Sequence, residues 1–200
     1  MAITAEQVKQ LRDKTGAGMM ECKAALTEAN GNTEEAITLL RKRGLAQAAK
    51  RAGRATAQGT IGTYIHLGGR IGVMVEVNCE SDFVARTDDF NSLVKEVAMH
   101  IAAADPRWVR REDVPAEALE KEKAIYRAQM ENSGKPANVL DKIIEGKLGS
   151  FYSQFVLLDQ PSIRDGGVTI AQVVAAASAK TGENIQISRF TRYRVGEGDA

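Results

Sequence analysis

Two adjacent stretches of strand-forming residues, separated by a pair of glycines, constrain the fold of this chain more than any other feature. Residues 60–67 alternate in part, and residues 71–79 follow the pair Gly68-Gly69. Glycine readily adopts the positive backbone angles that tight hairpin turns need. In the second stretch, the alternate apolar residues are Val73, Val75 and Val77. The pattern predicts an antiparallel β-hairpin with one buried face.

Helical patterns follow this hairpin along the chain. Helices are predicted over residues 87–104, 116–132, 138–151 and 169–180. A Gly-Lys-Pro break at residues 134–136 separates two of them, and a last strand is predicted over residues 185–195. Strands separated by runs of helices are typical of an antiparallel sheet layered with helices. The predicted fold class is therefore α+β, with a small antiparallel sheet in the core.

The first 52 residues have a helical pattern of their own. Thr4 is a predicted N-cap for a helix that carries Val8 and Leu11 on one face, and the glycine pair around residue 17 ends it. A second helix is predicted over residues 19–29 and a third from Thr33, ended by Gly44. Residues 45–57 are predicted to form a solvated, basic helical linker. The predicted domains are thus a helical bundle over residues 1–52 and an α+β core over residues 53–200.

Charge and composition exclude several classes of protein. The chain has 200 residues, 44% of them hydrophobic and 26% charged, as in ordinary globular proteins, and its net charge is +1. A dedicated nucleic-acid-binding protein is usually strongly basic. Residues 36–75 nevertheless contain no acidic residue and several arginines and lysines. This basic window is interpreted either as a solvated linker or as a surface for an acidic partner or RNA.

Few residues have the chemistry of a metal centre or a catalytic nucleophile. Two cysteines, Cys22 and Cys79, cannot build a disulfide framework or a four-ligand zinc site. His66 and His100 lie far from each other and from either cysteine and have no triad context, so a packed or surface position is expected for both. No phosphate-binding glycine loop is recognised, so the sequence predicts neither an enzyme nor a bound cofactor or metal. The first residues lack the features of a signal peptide, and no apolar run approaches the ~18 residues of a membrane span. A cytoplasmic, reduced protein is expected.

The exit of the second predicted strand carries an unusual pair, Asp82-Phe83, within residues 78–86. A strand that ends in a loop with an aromatic residue beside a carboxylate can present a rigid wedge to a partner. The alternative is that Ser81 or Asp82 caps a short helix while Phe83 packs in the core. Spacing alone favours this second interpretation.

Two motifs of the chain resemble the elongation factor Ts family. Residues 8–26, VKQLRDKTGAGMMECKAAL, resemble the opening of its bacterial-type members. Residues 78–84 resemble the family's Thr-Asp-Phe-Val signature, with Ser81 in the place of the threonine. Two long motifs in the right order make a specific match. The resemblance continues at residues 99–103, 134–136 and 196–198, and it is to the short members, which lack an additional core segment after the Asp-Phe motif.

The resemblance implies a guanine-nucleotide exchange factor that binds elongation factor Tu and promotes release of its GDP. The residues implied near the partner's Mg²⁺ site are Ser81, Asp82, Phe83 and Val84. In this interpretation Phe83 is a wedge whose burial is worth roughly 1.5–3 kcal/mol. Asp82 fixes the loop or bonds to partner backbone, and Val84 anchors the loop from beneath. Ser81 keeps the hydroxyl cap of the threonine that it replaces.

The resemblance also implies that the amino-terminal bundle is ubiquitin-associated-like and grips the nucleotide domain of the same partner. The candidate partner-binding residues are Val8, Leu11, Arg12, Met19, Met20 and Lys23. Flexible thioether side chains suit an interface. Neighbouring helical residues lie ~100° apart, so at least one of Met19 and Met20 should be exposed. For Val8 and Leu11, a place in the bundle core is an equally good interpretation.

Two other functions stay open at this point. The bundle alone would permit a ubiquitin-associated-like binding module with no exchange activity, although an Asp-Phe motif in a separate domain argues against it. The basic segment 41–54 would permit an RNA-binding accessory factor, which requires binding that weakens steeply with salt. The favoured interpretation has no membrane partner and no specific nucleic-acid partner.

A homodimer is the last expectation. A sheet of one hairpin and one further strand leaves unpaired edges, which proteins commonly cover or pair. Pairing of two copies about a two-fold axis would bury apolar residues of the last segment, for which the candidates are Ile185, Ile187 and Phe190.

Overall fold

The computed structural model describes residues 3–130 and 137–197, and within them it confirms the α+β class. The chain divides into two compact units. The first comprises Met1–Ile61, Glu76–Val94 and Gln172–Ile187; the second comprises Gly62–Val75, Lys95–Ala171 and Ser188–Ala200. The proposed domain division at residue 52 is not tested by these units and stays a prediction.

Three helices form the amino-terminal bundle: α1 (Ala5–Thr15), α2 (Met19–Glu28) and α3 (Thr33–Arg51). Thr4 caps α1, since its hydroxyl accepts the Gln7 backbone N–H at 3.2 Å. The first two helices are joined through Gly16, whose φ of 68° favours glycine. The buried core of the bundle consists of Val8, Leu11, Cys22, Ala25, Leu26, Ala29 and Ala36.

The prediction that Gly44 ends the third helix is wrong, because α3 continues to Arg51. A glycine inside a helix costs only about 1 kcal/mol relative to alanine, and the following segment is rich in strong helix formers. A Cβ on Gly44 would lie 3.8 Å from the Ala179 Cβ, an ordinary van der Waals distance, so this position does not require glycine. Much of the predicted linker is therefore the second half of α3, and the chain leaves helical structure only after Arg51.

The sheet has the strand order β1 (Gln58–Ile65), β2 (Ile71–Cys79), β3 (Gln186–Arg194). His66 N donates to Ile71 O at 2.9 Å, which closes the hairpin, and Gly68 and Gly69 have positive φ as the turn requires. Val195 N donates to Arg70 O at 2.9 Å, which sets β3 antiparallel to β2. The predicted buried face of β2 is confirmed, because Val73, Val75, Val77 and Cys79 are buried.

The remaining helices are α4 (Asp82–Ala85), α5 (Asp88–Ala104), α6 (Ala116–Met130), α7 (Ala137–Phe155) and α8 (Ile170–Thr181). α7 extends beyond its predicted end at residue 151 because its last turns pack aromatic side chains. The Phe151 ring lies 5.1 Å from that of Phe155 and 6.0 Å from that of Trp108. The predicted break at residues 134–136 and residue 198 of the last motif lie outside the described residues.

His100 of α5 is fully buried, which agrees with the expectation of a packed or surface histidine. Its Nε2 lies 2.9 Å from Gln160 Oε1. Gln160 Nε2 donates to Ala104 O and Gln154 O, so its Oε1 must accept the proton of His100 Nε2. Nδ1 is then unprotonated, and it has no hydrogen-bond partner among the described residues. Burial lowers the pKa of His100, although the Gln160 bond and the charge of Glu96 act in the opposite direction.

This burial predicts a loss of stability in mild acid. Below the ordinary histidine pKa of about 6.5, the unfolded chain takes up a proton that folded His100 resists, so the free energy of unfolding falls as the pH drops. The slope from this one group is at most about 1.4 kcal/mol per pH unit. Urea unfolding at pH 7.5 and 5.5 checks this against His100→Gln, which has no titrating group there. Equal pH dependence in both proteins would contradict the prediction.

Candidate functional site

The loop after β2 carries the exposed aromatic residue of the Asp-Phe motif. Ser81 is the N-cap of α4, and its hydroxyl oxygen accepts the Val84 backbone N–H at 3.3 Å. Phe83 is 82% exposed. Asp82 pairs with Arg86 at 2.9 Å on the next turn. The interpretation that Ser81 caps a helix is therefore confirmed, but the interpretation that Phe83 packs in the core is wrong.

A carboxylate from a distant part of the chain supports this loop from behind. Glu183, in the turn between α8 and β3, accepts the backbone N–H groups of Glu80 and Ser81, both at 3.0 Å. Its other oxygen accepts the Ser81 hydroxyl at 2.5 Å. These three donors use both carboxylate oxygens. Hydrogen bonds to an ionised acceptor are roughly twice as strong as neutral ones, so Glu183 holds the entry to α4 firmly.

Glu80 returns the same kind of contact to the turn that carries Glu183. Its carboxylate accepts the Asn184 backbone N–H at 2.6 Å and the Arg54 guanidinium at 3.3 Å. The Asn184 bond, and after it Arg54, hold the pKa of Glu80 below its ordinary value. The Asn184 side chain donates to Arg54 O at 2.9 Å and Ala52 O at 3.4 Å. The segment after α3, the exit of β2 and the turn before β3 thus share one hydrogen-bond network.

Cys79 closes the buried side of the loop. Its Sγ donates to Ser81 O at 3.1 Å. Burial raises the pKa of this thiol, and the negative charge of Glu183 raises it further. The thiol therefore stays protonated at neutral pH and acts as a hydrogen-bond donor, since a reactive cysteine needs a lowered pKa.

The predicted partner-binding residues of the bundle divide into an exposed and a buried group. Met19 is 45% and Met20 76% exposed, which confirms that the pair cannot turn inward together. Arg12 and Lys23 are also exposed. Val8 and Leu11, in contrast, lie in the bundle core, so the structure favours the core interpretation for both.

The basic window is partly neutralised within the chain. Arg43 forms an ion pair with Glu28, and Arg54 forms one with Glu80. Arg51 donates to Ser178 O at 3.3 Å. Part of this positive charge therefore serves internal contacts.

The described residues contain neither a candidate metal-binding cluster nor a candidate membrane span. No group of three or more histidine, cysteine, aspartate or glutamate side chains lies in an arrangement that would hold a metal ion, within residues 3–130 and 137–197. In that same part of the chain, no helix is both long and apolar enough to cross a membrane.

The residues that sequence reasoning missed are Glu183 and Asn184. Glu183 lies 102 positions from Ser81, and no local pattern marks it as a partner of the Asp-Phe loop. Only the pairing of β3 with β2 reveals the contact, because it carries the turn before β3 to the exit of β2.

Comparison with known proteins agrees with both motifs. The family model described as elongation factor TS matches residues 1–197. The elongation factor Ts of Fervidobacterium nodosum is 60% identical over 197 residues, which cover 98% of this chain and 100% of that protein. The elongation factor Ts of Solibacter usitatus is 58% identical over 195 residues, covering 98% and 92%. That of Thermosipho melanesiensis is 56% identical over 195 residues, covering 98% and 100%. This chain therefore belongs to the elongation factor Ts family of translation elongation factors.

Proposed function

We propose that this protein is a guanine-nucleotide exchange factor that binds elongation factor Tu in its GDP-bound and nucleotide-free states and promotes GDP release. The observation that carries the proposal is Phe83, a large apolar ring 82% exposed on a short helix whose entry is held by Ser81 and Glu183. An exposed ring beside a carboxylate, on a fixed backbone, has the form of a wedge. The expected target is the surroundings of the partner's Mg²⁺ site.

The mechanism requires no chemistry from this chain. Tight nucleotide binding in such a GTPase depends on phosphate held by backbone amides, a lysine and Mg²⁺. The factor needs to bind only a conformation of Tu in which these groups are misaligned. Linkage then requires that the factor weakens GDP binding by the same ratio by which GDP weakens binding of the factor.

The bundle is proposed to hold the nucleotide domain from another side. Met19 and Met20 supply an exposed, adaptable apolar surface, and Arg12 and Lys23 supply charge. Val8 and Leu11 support this surface from the core. The two buried free thiols, Cys22 and Cys79, fit a reducing compartment, so we propose the cytoplasm as the place of action.

The test is the release of fluorescent GDP from purified elongation factor Tu. The protein at substoichiometric concentration should accelerate release in the presence of excess unlabelled GDP. Excess GDP should in turn weaken the binding of the protein to Tu, as reciprocity demands. If the protein binds Tu tightly but does not change the rate of GDP release, it is a binding module without exchange activity. Binding to RNA in preference to Tu, lost at high salt, would favour the accessory factor.

Deletion of residues 1–52 should weaken binding to Tu while the remaining chain stays folded. The reason is that the buried cluster of the bundle is formed entirely by residues 8–36, so the bundle has its own core. Circular dichroism melts of the truncated chain, with binding to Tu by calorimetry, check the prediction. A truncated chain that precipitates or has no cooperative melt would contradict it, and the contacts of Arg51 and Ala52 with Ser178 and Gln186 would then be essential to the core.

We also propose a homodimer, through a surface different from the one expected from sequence. Ile185 and Ile187 are only 4% and 2% exposed, so the prediction that they lie in a dimer interface is wrong, whereas Phe190 is half-buried. The ladder register places Ile65 and Tyr193 on either side of Gly72, on the exposed face of the sheet. Large exposed apolar patches mark interaction sites. The exposed apolar residues of this part of the second unit are Ile65, Leu67, Met74, Tyr193 and Val195.

Light scattering at micromolar concentration should therefore give twice the chain mass of 21.6 kDa. The variant Tyr193→Glu should shift the protein to the monomer, because a carboxylate cannot be buried there without a partner. The conservative Tyr193→Phe should remain dimeric. A wild-type mass near 21.6 kDa, alone and in a one-to-one complex with Tu, would falsify the dimer.

A further inference from the structure

The loop that carries Phe83 has a reciprocal connection with the turn before β3. The Glu183 side chain accepts backbone N–H groups of Glu80 and Ser81, while the Glu80 side chain accepts the backbone N–H of Asn184. Two consecutive amides that share one acceptor fix the peptide orientation between them. The turn itself is allowed by Gly182, whose φ of 77° favours glycine.

The Ser81 hydroxyl extends this connection to the helix that bears the ring. It donates its proton to Glu183 at 2.5 Å and accepts the Val84 N–H at 3.3 Å. One hydroxyl thus joins the carboxylate to the first turn of α4. Phe83 lies in that turn and is itself mostly exposed, so packing of its ring contributes little to its placement. The direction of the ring must come from the backbone that Glu183 holds.

We propose that Glu183 is a positioning residue for nucleotide exchange, which acts through Ser81 and α4 to fix the direction in which Phe83 is presented. The inference rests on the exchange function proposed above. A loop that is not fixed must be ordered when it docks, and that ordering opposes the docked state. Loss of Glu183 should therefore slow the step in which the ring enters Tu, whereas initial binding through the bundle should persist.

The first experiment measures GDP release from Tu at saturating and at limiting factor. Removing the acceptor of three donors in Glu183→Ala should lower the maximal release rate by about tenfold, a size in keeping with hydrogen bonds to a charged group. The half-saturating concentration should change by less than about twofold, because surface contacts of the bundle are untouched. Glu183→Gln should retain most of the activity, since its carbonyl oxygen can accept the two backbone N–H groups and its amide can donate to the Ser81 oxygen.

The matched control is Asp89→Ala. Asp89 is an acidic residue of the same unit as Glu183, and it forms an ion pair with Lys180 of α8. Asp89 accepts a hydrogen bond from Lys180 Nζ at 2.6 Å, whereas the acceptor for the Glu80 and Ser81 donors is Glu183. Its exchange rate should equal that of the wild type. If Asp89→Ala and Glu183→Ala slow exchange equally, general loosening near α8 explains the effect and the positioning role is overturned.

A double-mutant cycle separates positioning from general stability. In a Phe83→Ala background, Glu183→Ala should cause little further loss of exchange, because the ring through which it acts is already gone. An equal loss in both backgrounds would overturn the inference.

Should Glu183→Ala fail to fold, Ser81→Ala and Ser81→Thr replace it. The threonine variant keeps the bridging hydroxyl and should exchange GDP at the wild-type rate, whereas the alanine variant should be slow. If the wild-type protein does not accelerate GDP release from Tu, the exchange function itself is contradicted. If the wild type accelerates release and Glu183→Ala does so equally well, only this inference is contradicted.

Discussion

Phe83→Ala is expected to lose about 90–99% of the exchange activity of the wild type. The reason is that burying such a ring in a partner is worth roughly 1.5–3 kcal/mol, which corresponds to about a 10- to 100-fold change in rate. Its free energy of unfolding should stay within about 0.5 kcal/mol of the wild type, because surface substitutions seldom change it more. The ring is 82% exposed in the free chain, so folding gains little from it. GDP release and urea unfolding, measured on the same preparation, check both parts.

Phe90 supplies the matched control, seven positions along the chain. It is fully buried, so Phe90→Ala should lower the free energy of unfolding by about 3–5 kcal/mol, as phenylalanine-to-alanine changes do in other protein cores. Phe83→Leu should retain part of the exchange activity because it keeps an apolar wedge of smaller size. If Phe83→Ala instead loses several kcal/mol of stability, the ring contributes to the fold and the wedge mechanism is wrong.

Gly59→Ala is expected to destabilise the sheet by about 3 kcal/mol or more, at the upper end of overpacking effects. A Cβ at this position would lie 2.2 Å from Val77 O and 2.8 Å from the Asn78 Cα. These are backbone atoms, which cannot rotate away as the end of a side chain can. The φ of 151° adds strain for any residue but glycine. Because Val77 and Asn78 lead directly into the Asp-Phe loop, exchange should fall as well, and urea unfolding with GDP release measures both.

The control for this substitution is Gly53→Ala. Gly53 is exposed, and apart from the glycine itself and its two chain neighbours no heavy atom of the described chain lies within 4 Å of a Cβ built there. Its free energy of unfolding should differ from the wild type by no more than about 1 kcal/mol. Equal stability of Gly59→Ala and Gly53→Ala would mean that the close approach of β1 to β2 at residue 77 is not maintained in solution.

Local patterns in the sequence determined the elements and the family. Glycine turns, N-caps and alternating valines depend on neighbours a few positions away, so the hairpin, the start of α1 and the buried face of β2 were predicted correctly. Gly44 was misjudged because the helix propensity of the residues that follow outweighs the small cost of one glycine. The Asp-Phe motif can also be recognised from the sequence alone, because it lies in one continuous stretch of residues 78–84.

The tertiary structure alone decided which apolar residues face water and which distant residues meet. Phe83 of α4 and Phe90 of α5 are the same amino acid only seven positions apart, yet one is exposed and the other buried. Likewise Val8 and Leu11 turned inward, and Ile185 and Ile187 were already covered by their own chain. Glu183 reaches Ser81 only because β3 pairs with β2. Burial and long-range hydrogen bonds depend on how elements pack in three dimensions. Periodicity along the chain shows which face of an element is apolar, but it does not determine which other elements pack against that face.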